Sequence, residues 1–169
     1  MEKQSRETKQ IAMYGLSIAL AFILSYLETI LPMPIMMPGM KLGLTNLVVM
    51  VVLYHMGEGS AFAVNIVRIL LVSLTFGNMM TLWYSVAGGV LSFLVMVILK
   101  RTKMFSVISV SVAGSIAHNA GQILVAMFVL QTTMVYWYFG MLCISGVIAG
   151  SIIGYLTGLV LEKIPKIII

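Results

Sequence analysis

At 169 residues, 61% hydrophobic and 9% charged, with a mean hydropathy of +1.10, the chain falls outside the soluble globular class, in which roughly a quarter of residues are charged. It reads as an all-α integral membrane protein with a single transmembrane domain over residues 1–169. Its net charge of +5 is carried by cations at segment ends, which excludes a nucleic-acid-binding surface and implies membrane lipid as the surroundings.

A bilayer-spanning helix needs ~17–25 mostly apolar residues. Six segments are predicted: Ile11–Leu31, Leu42–Met56, Ser60–Gly77, Leu82–Leu99, Phe105–Leu130 and Met134–Leu161; the second is short, so it is either little tilted or begins inside the extramembrane loop. The first is longer than the ~7–15 residues of a signal h-region and no small-residue cleavage site follows it, so it reads as a span. Gly15 with Ala19, and Ser17 with Ala21 and Ser25, form small-residue ridges on it, suited to helix packing or to docking a partner. Glu28 stands near its outer end. The loop "LPMPIMMPGMK" follows; Pro32, Pro34 and Pro38 deny helix and make it stiff and extended, either a lid or a plain connection.

Lys41 and Asn46 open the second helix in "GMKLGLTN". His55 and Glu58 belong to a solvated turn. The third helix carries Arg68 about midway, in "NIVRILL", with Asn65 one turn earlier, and Asn78 closes it in "TFGN". A guanidinium at that depth either contacts an anion at the floor of a cavity or snorkels to the surface. The fourth helix ends in the basic loop "KRTK".

The fifth helix holds "GSIAHNAGQ" between two apolar runs. His118 and Gln122 are four apart and share a face with Gly114, Asn119 points beside them, and Ala113, Ala117 and Gly121 form an adjoining ridge. At ~1.5 Å per residue, His118 is expected ~20 Å from the inner start of its helix, in the outer half of the membrane. The sixth helix repeats glycine at Gly146, Gly150, Gly154 and Gly158, a groove for close packing against a helix of this chain or of a partner.

Orientation follows from charge. Lys3, Arg6, Lys9, Lys100, Arg101, Lys103, Lys163 and Lys166 all fall on one side of six spans, which the positive-inside rule makes cytoplasmic, both termini included. Trp83, Tyr84, Tyr136, Trp137 and Tyr138 gather at the opposite ends as an interfacial belt. The expected location is the cell membrane.

Glu28, Lys41, Asn46, Asn78, His118, Asn119 and Gln122 thus come from four helices to similar depth, with Arg68 midway along its own helix as a further candidate. They serve either as hydrogen-bonding glue between helices, worth ~0.6 kcal/mol each, or as a binding site for a small polar solute. Their convergence favours the site, because ionisable groups there cost several kcal/mol unless they face a cavity or one another. Other chemistry is excluded by what is missing. Cys143 is the only cysteine, the fifteen methionines read as adaptable packing, and no metal site or cofactor is expected. No aspartate occurs, no P-loop motif is present, and no nucleophile–base pair stands at catalytic spacing, so the chain is not expected to be an enzyme.

At "PGMKLGLTN", "SVAGGVLSFLVMVILKR" and "SVAGSIAHNAGQILVA" the chain resembles the Gx transporter family, which carries the label heptaprenyl diphosphate synthase component I. The resemblance implies a six-helix bundle like the substrate-binding S-components of energy-coupling factor (ECF) transporters, which capture vitamins near the outer face. Such proteins dock on a coupling subunit and two ATPases largely through small residues of the first helix, here Gly15, Ala19 and Ala21. Prenyl diphosphate synthases hold Mg²⁺ with aspartate-rich motifs, so a chain without aspartate is expected to assist one only as an accessory that holds lipid. Two functions are therefore carried forward. One is a transporter subunit for a vitamin-like or flavin-like solute, and the other a non-catalytic accessory in prenyl-lipid synthesis or a flavin-linked redox system.

Overall fold

The computed structural model describes residues 2–30 and 43–164. Lys41, the proline-rich loop and Lys166 lie outside the described residues, as do the side chains of Lys3, Arg6 and Lys9. Within them the fold is all-helical: α1 Glu2–Ile30, α2 Leu44–His55, α3 Glu58–Phe76, α4 Met79–Thr102, α5 Val107–Leu130 and α6 Tyr136–Lys163. Five are long and apolar enough to cross a membrane, which makes this a multi-pass membrane protein. The α2 helix is shorter still than the short segment expected for it. Its 12 residues reach only ~18 Å, short of a ~30 Å hydrocarbon layer.

Helix ends depart from the predicted spans where polar residues continue a helix past its apolar run. The α1 helix starts nine residues before Ile11, through Gln, Glu, Lys and Arg, all good helix formers. The α4 helix starts earlier because Asn78 caps it. Asn78 Oδ1 accepts from the Thr81 N–H at 2.9 Å, and Thr81 Oγ1 accepts from the Asn78 N–H at 2.7 Å.

The bundle is organised as two triplets. In α4–α6 the α4–α5 and α5–α6 pairs make the most extensive contacts of the molecule, and glycine is the reason. A Cβ on Gly121 would stand 2.6 Å from the Ala87 carbonyl oxygen, one on Gly150 2.6 Å from the Val112 Cα, and one on Gly154 2.6 Å from the Ile108 Cα. Backbone therefore meets backbone. Gly146, Gly150 and Gly154 are used inside the chain, against α5; Gly158 has nothing within 4 Å and takes no part.

The α1–α3 triplet packs through side chains instead. Ala21, Val49, Met50, Leu53, Ala61 and Val64 form its buried centre, and Phe93, Met96 and Val110 reach into it from the other triplet. This apolar cluster closes the seam between triplets toward the basic end of the bundle, the end that carries Lys100–Lys103. Ala21 is fully buried there, which removes it from any docking surface; Ala19 is exposed, and Gly15 has nothing within 4 Å. The rings of Phe22 and Tyr26 on α1 meet Phe76 at the far end of α3, with centroids 5.3 and 4.9 Å apart.

Candidate functional site

Away from the apolar cluster, the seam opens into a cavity. It offers about 70 Å³ to the centre of a water molecule, room for about five waters at ~10–15 Å³ each. One wall comes from α1–α3 and carries Ser25, Glu28, Thr45, Asn46 and Arg68. The facing wall comes from α4–α6 and carries Ser85, Ser115, His118, Asn119, Gln122 and Ser145. The carboxylate and the guanidinium thus share one wall, and the other presents hydroxyls, amides and an imidazole.

Glu28 is held by the first turn of α2. Gly43 precedes that helix in the left-handed region, φ 75°, and has no side chain with which to cap it. Glu28 does so from α1. Its Oε1 accepts from the Leu44 N–H at 2.6 Å and its Oε2 from the Thr45 hydroxyl at 3.1 Å. A carboxylate at a helix N-terminus also complements the helix dipole. Thr45 and Ser25 are hydrogen-bonded at 2.9 Å, both buried.

Arg68 is positioned by amides. Its Nε and Nη2 donate to Asn65 Oδ1 at 3.2 and 2.9 Å, and Nη2 reaches Asn46 Oδ1 at 3.4 Å. Asn65 is itself tied to α4 by donating to the Gly89 carbonyl at 3.1 Å. Arg68 therefore points toward the cavity rather than snorkelling to the basic end.

On the opposite wall, His118 lies against Gly88 of α4. A Cβ there would stand 2.9 Å from the His118 carbonyl oxygen and 3.0 Å from its ring Cε1. Asn119 Nδ2 donates to the Leu142 carbonyl at 2.7 Å, and the same carbonyl accepts from Ser145 at 2.9 Å. His118 is the twelfth of the 24 residues of α5. It therefore stands near the helix midpoint, about 16 Å from the start that the Ser106 cap sets.

Of the eight expected binding residues, Glu28, Asn46, Arg68, His118, Asn119 and Gln122 line this one cavity. Lys41 lies outside the described residues. Asn78 is not part of the cavity; it is exposed, and its side chain is spent on capping α4. Sequence reasoning passed over the hydroxyls. Ser115, His118 and Gln122 follow i, i+3, i+7 spacing, a polar stripe that the pattern could have shown. Among the described residues no three His, Cys, Asp or Glu side chains gather as metal ligands.

A family model described as heptaprenyl diphosphate synthase component I matches residues 17–160, and the chain belongs to that family. No curated protein and no solved structure matches it.

Proposed function

We propose that this member of the heptaprenyl diphosphate synthase component I family is the substrate-binding subunit of a membrane transporter and captures a small polar solute in the seam cavity. The observation that carries the reading is hydrogen-bonding capacity left uncommitted. Among the described residues Ser85, Ser115 and Gln122 make no side-chain hydrogen bond, nor does Arg68 through Nη1, and all four line the cavity. Each of the four residues is half-buried and opens onto the cavity, where its polar group can meet a solute or water. Residues serving only as glue would be bonded to one another, as Asn65 is to Gly89. A solute, or water awaiting one, satisfies these groups.

Under this proposal the chain performs no catalysis and resembles an ECF S-component in its division of labour, with energy supplied by separate coupling and ATPase subunits. It resides in the cell membrane with both termini cytoplasmic. Gly15 and Ala19, exposed on α1, belong to the face a coupling subunit would use. The family's description supports a second reading, a component that partners a prenyl diphosphate synthase. In that case the chain holds lipid or partner, since without aspartate it lacks the aspartate-rich motifs that hold diphosphate-bound Mg²⁺ in prenyl diphosphate synthases.

Mass spectrometry of small molecules co-purifying with the detergent-extracted protein separates the two. The proposal expects a water-soluble compound on the parent that is absent from a folded His118→Ala/Gln122→Ala variant. A polyprenyl lipid retained by both would favour the accessory reading, and a protein empty of solute would remove the case for a site.

A further inference from the structure

We propose that the solute is a net-neutral zwitterion of amino-acid size, its anionic group on Arg68 and its cationic group on Glu28. This rests on the cavity being a binding site and specifies its chemistry. Arg68 lies ten residues into α3, roughly 15 Å along it, deep within an apolar helix. No carboxylate meets it: among the described residues the ion pair within 4.0 Å is that of Glu58 with Arg101. Asn65 and Asn46 orient the guanidinium through neutral amide oxygens, which fix its plane without supplying a counter-charge. A charge taken out of water needs a charged partner or a wet cavity. Arg68 has the cavity, and the Nη1 edge that its neighbours leave open suits a carboxylate.

Glu28 supplies the complementary half. An ionised carboxylate has about four lone-pair sites, and the first turn of α2 fills two of them. The rest are available to a cationic group on the cavity side. Its charge also acts against a bare anion near Arg68, just as Arg68 acts against a bare cation near Glu28. A ligand bearing both charges satisfies each and brings no net charge into the membrane. Space for about five waters accommodates a solute of several heavy atoms. The facing wall of Ser85, Ser115 and Gln122 then reads the uncharged remainder of the molecule.

The test is equilibrium dialysis of the detergent-solubilised full chain against three labelled probes. They are the mixture of the twenty proteinogenic L-amino acids with glycine betaine, propionate alone, and ethylamine alone. Saturable binding is expected from the first and not from the singly charged pair. Arg68→Gln should lower affinity on the order of 100-fold, and Arg68→Lys, which keeps the charge but not the planar fork, by less. Glu28→Gln should weaken the zwitterion and improve propionate. If Arg68→Gln elutes as a misfolded protein, Arg68→Lys and Glu28→Gln carry the comparison.

Propionate binding as well as the zwitterion on the parent, or no zwitterion binding at all, would overturn the proposal. The broader reading fails separately. An uncharged solute that co-purifies in a His118- and Gln122-dependent manner keeps the cavity as a site while refuting the zwitterion. A protein that binds no probe and carries no solute refutes both.

Discussion

Thr45 has one hydroxyl proton and two hydroxyl-side neighbours. Because it donates to Glu28, the Ser25 hydroxyl must donate to it, giving a directed relay from Ser25 through Thr45 to the carboxylate. Thr45→Val keeps the shape and removes the link, so that the buried Ser25 hydroxyl and the carboxylate each lose one hydrogen bond. It should lower the unfolding free energy by ~1–3 kcal/mol, read as a shift in the denaturation midpoint in detergent. Thr45→Ser, which keeps the hydroxyl, should retain most of the stability, and a Thr45→Val variant as stable as the parent would show that the relay contributes nothing. At this scale the sequence was informative wherever a polar group was out of place in oil. Glu28, Asn46, Arg68, His118, Asn119 and Gln122 stood out for that reason. Serine did not, because in a membrane helix its hydroxyl can bond the carbonyl one turn back, as Ser151 bonds Val147 here. Only the position of Ser85 and Ser115 on the seam distinguishes them.

Among the elements, α2 and the glycine-bearing helices show how much neighbours decide. The α2 helix is short and largely buried, and other helices serve both of its ends. Glu28 receives the N–H at its start, and Lys100 donates to the Leu53 carbonyl at 2.7 Å near its end, with Nζ 5.5 Å from the Tyr54 ring centroid. Acid at the N-terminus and base at the C-terminus both match the dipole. The regular glycine spacing of α6 was legible in sequence, but its use was not uniform. Gly121→Ala would force backbone apart at the α4–α5 crossing and should destabilise by ~1–3 kcal/mol, whereas Gly158→Ala, which meets open space, should fall within about ±0.5 kcal/mol. Thermal unfolding of both variants checks this. If Gly158→Ala is the costlier, Gly158 packs against something beyond this chain.

The whole molecule is a seam between two triplets built differently: one joined backbone to backbone, the other side chain to side chain. The cavity occupies the part of the seam that the apolar cluster leaves open. Glu58 and Arg101 tie the triplets at the basic end, with Arg101 Nε donating to Glu58 Oε1 at 3.0 Å. If that end faces the cytoplasm, a membrane-impermeant maleimide applied to intact cells should label Thr133→Cys and spare Lys103→Cys until the cells are permeabilised, both in a Cys143→Ser background. The reverse pattern would invert the proposed topology. The sequence by itself determined the class, the number of helices and the membrane setting, because hydropathy and charge act locally and add along the chain. It also marked most of the polar residues that line the cavity. Tertiary structure alone decided that Ala21 is core and not docking surface, that Asn78 caps a helix, and that Arg68 is held by amides and not by Glu28. Each of those depends on which groups meet across helices, and a polar residue in an apolar segment announces that it needs a partner without saying which one it has.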